Sequence, residues 1–184
     1  YMNDPYKIIS LIDGVSGRPI TPADSNDLPY LYENRPDSRS RQIFFWKTVH
    51  HLTEDVINVS YRYHTDDWGI DSHTIDFHYR YELGNDQYLQ PHLRYYSQSA
   101  ADFFTTALVD GQPLPQYATS DYRLGDFATQ TIGLKYAMRT AENSESSLRA
   151  ELISQTQNQV TTPIGDQANY DLPPDLDSLI GSFV

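Results

Sequence analysis

Three side chains are spaced so that they could act together. His78 and His92 fall on two successive extended segments that a turn at residues 84–86 would bring side by side, and Asp76 lies two residues before His78 on the same strand face. Two imidazoles and a carboxylate can hold a transition metal. The plainer account is a hydrogen-bonded network in a polar interior, which needs no ion. His50 and His51 are neighbours within a strand, so they point to opposite faces and cannot chelate together. Asp66, Asp67 and Asp71 gather around Trp68 and Gly69, superficially like a calcium loop, but the ligand spacing and the distal Glu are missing. Acids capping a hairpin, with Trp68 at an outer interface, is the plainer account there too. Ser, His and Asp occur without a nucleophile elbow or triad-like motif, and there is no phosphate loop. No catalytic residue and no cofactor is therefore expected.

The elements that must position these residues alternate with period two. In residues 56–64, Ile57, Val59, Tyr61 and Tyr63 share one face, and Asn58, Ser60, Arg62 and His64 the other. Residues 74–83 repeat this, with Ile75, Phe77, Tyr79, Tyr81 and Leu83 against Asp76, His78, Arg80 and Glu82. Residues 88–97 set Leu89, Leu93 and Tyr95 against Gln90, His92 and Arg94. Further on, Ile132, Leu134, Tyr136 and Met138 alternate with Thr131, Gly133, Lys135 and Ala137, and Leu148, Ala150 and Leu152 with Arg149 and Glu151. A strand of less certain phase covers 43–52, and a last one covers 177–184. Residues 1–39 read as mostly loop, with at most a short strand at 7–12, leading into strands over 40–184. The fold class is all-β: an antiparallel, up-and-down transmembrane β-barrel, present in part as about seven strands of a larger one.

Alternation alone also fits a soluble barrel or sandwich with its apolar face inward, binding a ligand. Three features favour the membrane. The strands run roughly 9–13 residues, long against the ~5–6 of soluble sheets and near the ~9–11 needed to cross a bilayer at a tilt. The links alternate short (53–54, 84–86, 141–145) and longer (66–71, 100–124, 157–175), as do periplasmic turns and extracellular loops. The chain has 15 tyrosines, and its apolar faces are rich in them toward strand ends, as at Tyr61, Tyr63, Tyr79 and Tyr81, where a ring can rest in lipid while its hydroxyl stays wet. Tyr61, Tyr63, Phe77, Tyr79, Tyr81, Tyr95 and Tyr136 are the expected lipid-facing or interface aromatics. Asn58, Ser60, Arg62, Asp76, His78, Arg80, Gln90, His92 and Arg94 are the expected lumen network.

A net charge of −12 without a basic run disfavours nucleic acid as a partner. With no cysteine, disulfides and thiolate metal sites are excluded. No apolar run is long enough for a membrane helix. Symmetric closure of the hairpin at 66–71 would set Arg62 opposite Asp76, Ser60 opposite His78 and Asn58 opposite Arg80. Closure at 84–86 would set Asp76 opposite Arg94, His78 opposite His92 and Arg80 opposite Gln90.

Several phrases carry a family resemblance. They are Asn3-Asp4-Pro5-Tyr6-Lys7, Arg35-Pro36-Asp37-Ser38-Arg39, Ser60-Tyr61-Arg62-Tyr63, Asp66-Asp67-Trp68-Gly69-Ile70-Asp71-Ser72-His73-Thr74, and Pro91-His92-Leu93-Arg94-Tyr95-Tyr96-Ser97-Gln98-Ser99-Ala100-Ala101-Asp102-Phe103. They resemble a bacterial family known as domain of unknown function 3570, over most of residues 1–140. The resemblance implies an outer-membrane barrel of a Gram-negative bacterium, with this chain as the later strands of a longer protein. It implies no activity and no catalytic residues.

The expected role is a conduit, or a structural or docking component of an envelope complex. Its partners would be the lipid bilayer with its lipopolysaccharide and a periplasmic or extracellular protein. A membrane-embedded enzyme using Asp66, Asp67, Asp71 and His73 at the extracellular end is the remaining alternative.

Overall fold

The computed structural model describes residues 8–21, 30–141, 144–158, 163–169 and 175–183. The phrase at residues 3–7 and the final Val184 lie outside them. Among the described residues every long element is a strand, as the period-two patterning requires.

Seven strands form one antiparallel sheet: β3 (Arg41–His51), β4 (Val56–Asp66), β5 (Asp71–Gly84), β6 (Gln87–Gln98), β8 (Phe127–Ala141), β9 (Ser144–Gln157) and β10 (Leu176–Phe183). Each pairs with the next in chain order, so the sheet is an up-and-down meander with β3 and β10 at its edges. Among the described residues the sheet is open and does not close into a barrel. Three further strands, β1 (Ile8–Ile12), β2 (Tyr30–Tyr32) and β7 (Ala107–Val109), make a small second sheet in which β1 lies between β2 and a parallel β7. β2 and β7 come from segments read as loop. Alone they are too short for a periodic signal, and partners distant in sequence hold them.

One end of the large sheet has the tight links. At residues 84–86, positive φ at Gly84, Asn85 and Asp86 closes the hairpin. The other end carries the small sheet and the long connection between β6 and β8, which together form a cap. The apolar core sits at this cap end. Trp68, Ile70, Ala101, Phe104 and Leu124 pack together, and Ile9 and Ile12 of β1 are fully buried.

Trp68 is therefore not at an outer interface. It is 3% exposed. Its indole N–H donates to the Ser38 carbonyl at 2.8 Å, its ring meets Phe103 edge-on at 5.2 Å, and the Arg39 guanidinium lies 4.6 Å from its centre. Gly69 permits this. Its φ is +81°, and a Cβ there would lie 2.2 Å from an Asp102 carboxylate oxygen. Asp66 caps the turn by accepting from the Trp68 and Ile70 amides, both at 3.0 Å, as the capping account holds.

This cap also tightens the β4–β5 hairpin. The turn closes with Thr65 opposite Asp71, so Arg62 faces Thr74, Ser60 faces Asp76, Asn58 faces His78 and Val56 faces Arg80. The symmetric register expected from sequence is thus displaced by two residues, which leaves every side chain on its expected face. The next hairpin does set Asp76 opposite Arg94 and His78 opposite His92.

The two faces of the large sheet are enclosed unequally. On β8, Thr131, Gly133 and Ala137 are buried, while Ile132, Leu134, Tyr136 and Met138 between them are exposed, Ile132 by 61%. β9 alternates likewise, with Glu151 and Ile153 partly covered and Leu148 and Leu152 exposed. On these two strands, and largely on β5, the polar face is the covered one; β3 and β10 are exposed on both faces, and on β4 the exposed residue is Arg62.

Rows of directly opposed residues cross the open face. A central row runs Val59, Phe77, Leu93, Ile132, Leu152, Leu179. Nearer the cap lies Trp46, Tyr61, Ile75, Tyr95, Gln130. Nearer the short turns lies Tyr81, Leu89, Tyr136, Leu148, Phe183.

Candidate functional site

The middle of the covered face holds a chain of hydrogen-bonded side chains from three strands. Opposition of His78 on β5 and His92 on β6 stacks the two rings, with centroids 4.1 Å apart and planes within 5°. Asp76 bridges them: one carboxylate oxygen lies 2.8 Å from His78 Nε2 and the other 3.2 Å from His92 Nε2. His92 Nδ1 lies 2.6 Å from Glu151 on β9, which in turn pairs with Arg149. His78 Nδ1 lies 3.1 Å from the Gln90 amide.

Glu151 reaches His92 across a gap in β8. The row runs His78, His92, Gly133, Glu151, and Gly133 has no side chain to block the way. A Cβ at Gly133 would meet Glu151 Cγ and Oε1 at 2.9 Å. Sequence reading placed Glu151 on the polar face and missed its part in the network. The signal was available as a glycine in mid-strand, where a side chain from elsewhere often passes close to the backbone.

Asp76, His78 and His92 present ligand atoms within 4.8 Å of one another. Two imidazoles and a carboxylate, with Glu151 and Gln90 on the outer ring nitrogens, match a transition-metal site in composition. The ring geometry does not match. A bound ion lies close to the plane of each imidazole that ligates it, and two rings stacked face to face with planes within 5° share no such point. The arrangement as it stands is a hydrogen-bonded relay in which carboxylates and imidazoles alternate. It can share protons along its length and hold three strands in register.

The other expected lumen residues divide between the two ends. Toward the short turns, Arg80 pairs with Glu82 at 2.6 Å and lies 3.8 Å over the Tyr88 ring. Tyr88 donates to Glu145 at 2.9 Å, and Lys135 reaches both groups. Toward the cap, Arg62 and Arg94 are exposed on the covered face, with Ser60 beside Asp76. Asn58 lies directly opposite His78.

The expected interface aromatics all fall on the open face, and several hydroxyls reach toward the rims. Near the cap, Tyr61 lies 2.8 Å from His73 Nδ1, and Tyr63 donates to Asp71 at 2.9 Å. At the other rim, Tyr79 donates to Asp55 at 2.5 Å and Tyr136 to Gln87 at 2.8 Å. The acids proposed for an enzyme site each have a different partner. Asp66 is sequestered by Arg39, Asp67 accepts from the Ser40 amide, and Asp71 accepts from Tyr63.

No curated protein and no solved structure matches the chain. A family model described as "Protein of unknown function (DUF3570)" matches residues 1–183, so the likeness extends past residue 140 through the last strand. The chain belongs to this DUF3570 family of proteins of unknown function.

Proposed function

We propose that the seven-stranded sheet is part of the wall of a transmembrane β-barrel in the outer membrane of a Gram-negative bacterium. Its charged interior would serve as a conduit or as a docking and structural component of an envelope complex. The observation that carries the reading is the inverted burial: the polar face is covered, and the face bearing Ile132, Leu134, Leu148 and Leu152 lies open. A soluble barrel buries its apolar face; a membrane barrel turns it to lipid.

The rows on the open face support the same reading. Aliphatic residues dominate the middle, and aromatic residues flank them on both sides, with hydroxyls drawn toward the rims. The stretch of β5 from His73 to Leu83 covers roughly 33 Å along the strand at ~3.3 Å per residue. At a tilt of about 35–45° that corresponds to an apolar band about 25 Å tall. The partners in this reading are the bilayer with its lipopolysaccharide and a periplasmic or extracellular protein. The paired charges across the interior favour a narrow or filled passage over a wide pore.

Fractionation tests it. The protein should stay in the outer-membrane pellet through an alkaline wash and enter solution only with detergent. Full solubility without detergent would discard the reading in favour of a soluble ligand-binding barrel.

A further inference from the structure

Six arginines line one cavity of about 440 Å³ where the cap covers the polar face. Arg35 and Arg123 come from the cap, Arg39 and Arg41 from the approach to β3 and its first residue, Arg62 from β4 and Arg94 from β6. They are six of the chain's ten arginines, and none of its three lysines joins them. His64 adds an imidazole, and among the described residues Asp121 is the one carboxylate in the wall. In a chain of net charge −12, this reverses the local sign.

Three of the arginines are held in place by acids. Arg35 pairs with Glu33 at 2.7 Å and Asp121 at 3.0 Å, Arg123 pairs with Asp121 at 2.7 Å, and Arg39 pairs with Asp66. Arg62 and Arg94 form no ion pair among the described residues. Cations gathered in a partly shielded space repel one another, and an anion among them relieves that cost. The choice of arginine over lysine points to an oxyanion, because the planar fork donates two parallel hydrogen bonds to paired oxygens. A carboxylate offers two oxygens in one plane and is satisfied by one fork. A phosphate spreads its oxygens in several directions, which suits the forks of Arg62 and Arg94 arriving from two different strands, β4 and β6, with the acid-held arginines adding positive charge around them. Ile43, Ile70 and Leu124 supply an apolar side wall, and the volume lies in the ~300–1,000 Å³ range of small-molecule sites.

We infer that this cavity binds the phosphate group of a small phosphorylated molecule. The inference goes beyond the membrane reading and rests on the cavity alone. Phosphate binding by a protein that needed no detergent would sink that reading and leave this one intact.

Calorimetry on the purified full chain tests it, with inorganic phosphate and glucose 6-phosphate as probes and glucose as the uncharged control. Both phosphates should bind, glucose should not, and affinity should fall as salt rises. Arg62→Gln and Arg94→Gln should each weaken binding about tenfold or more, as expected for losing a charged hydrogen bond. Arg139→Gln, at the far end of the sheet, should leave binding unchanged. Should a glutamine variant fail to fold, Arg62→Lys keeps the charge and removes the fork, and it should still weaken binding. Absence of binding by both phosphates, or affinity unmoved by Arg62→Gln, Arg62→Lys and Arg94→Gln, would overturn the inference.

Discussion

At the scale of single residues, Gly133 decides whether Glu151 joins the central network. Any side chain there meets Glu151 within 3 Å, so Gly133→Ala should push Glu151 off His92. The expected loss is about 1–3 kcal/mol, the usual cost of breaking a hydrogen bond to a charged group. Urea unfolding of the purified protein measures it. The loss should shrink markedly in a Glu151→Ala background, because the two changes remove one interaction. Simple additivity would show that Gly133 acts some other way. The ring geometry carries a second prediction: the protein should bind no stoichiometric zinc at micromolar free metal. Tight one-to-one zinc binding that His78→Ala abolishes would make the trio a metal site. The pairing of His78 with His92 was readable from sequence because the turn at 84–86 is short; Gly84 pairs with Gln87 around Asn85 and Asp86, and a bulge between Glu82 and Gly84 brings the strands to the register that symmetric closure gives. Glu151 was not readable, because its contact crosses an intervening strand and no local pattern encodes it.

At the scale of elements, period-two alternation marked five of the seven long strands, β4, β5, β6, β8 and β9, since each keeps one polar and one apolar face over many residues; β3 and β10 mix polar and apolar residues on both faces, which is why 43–52 has an uncertain phase in sequence. It could not set the β4–β5 register. Turn chemistry does that: Asp66 accepts two amide hydrogens, Gly69 takes a positive φ, and Trp68 folds inward under the cap. Cysteine cross-linking checks the result in a chain that has no cysteine of its own. Oxidation should link Tyr63→Cys to His73→Cys much faster than Tyr63→Cys to Ile75→Cys. The reverse preference would restore the symmetric register. Of the cap, only β1 was legible, as the short strand expected at 7–12. Its strands have three to five residues and are held by partners far along the chain, as where β1 takes both β2 and β7. Its core residues are too scattered in sequence to form a periodic stripe.

At the scale of the whole molecule, the sheet has two bare edges, β3 and β10, and large apolar side chains along both. Unpaired backbone groups are not tolerated in lipid, so a membrane wall requires strand partners for both edges. In the membrane-embedded protein, the amides of β3 and β10 should therefore resist hydrogen exchange as well as those of β6. Rapid exchange confined to the two edges would contradict a closed wall. The most direct test of the central claim, that the open apolar face meets lipid, uses the chain's two tryptophans. Trp46 lies on that face, 49% exposed, and Trp68 is buried beneath the cap. In vesicles whose acyl chains carry bromine, the account predicts strong quenching of the wild-type fluorescence and its loss in Trp46→Phe. Equal quenching of the two proteins, or none in either, would contradict it.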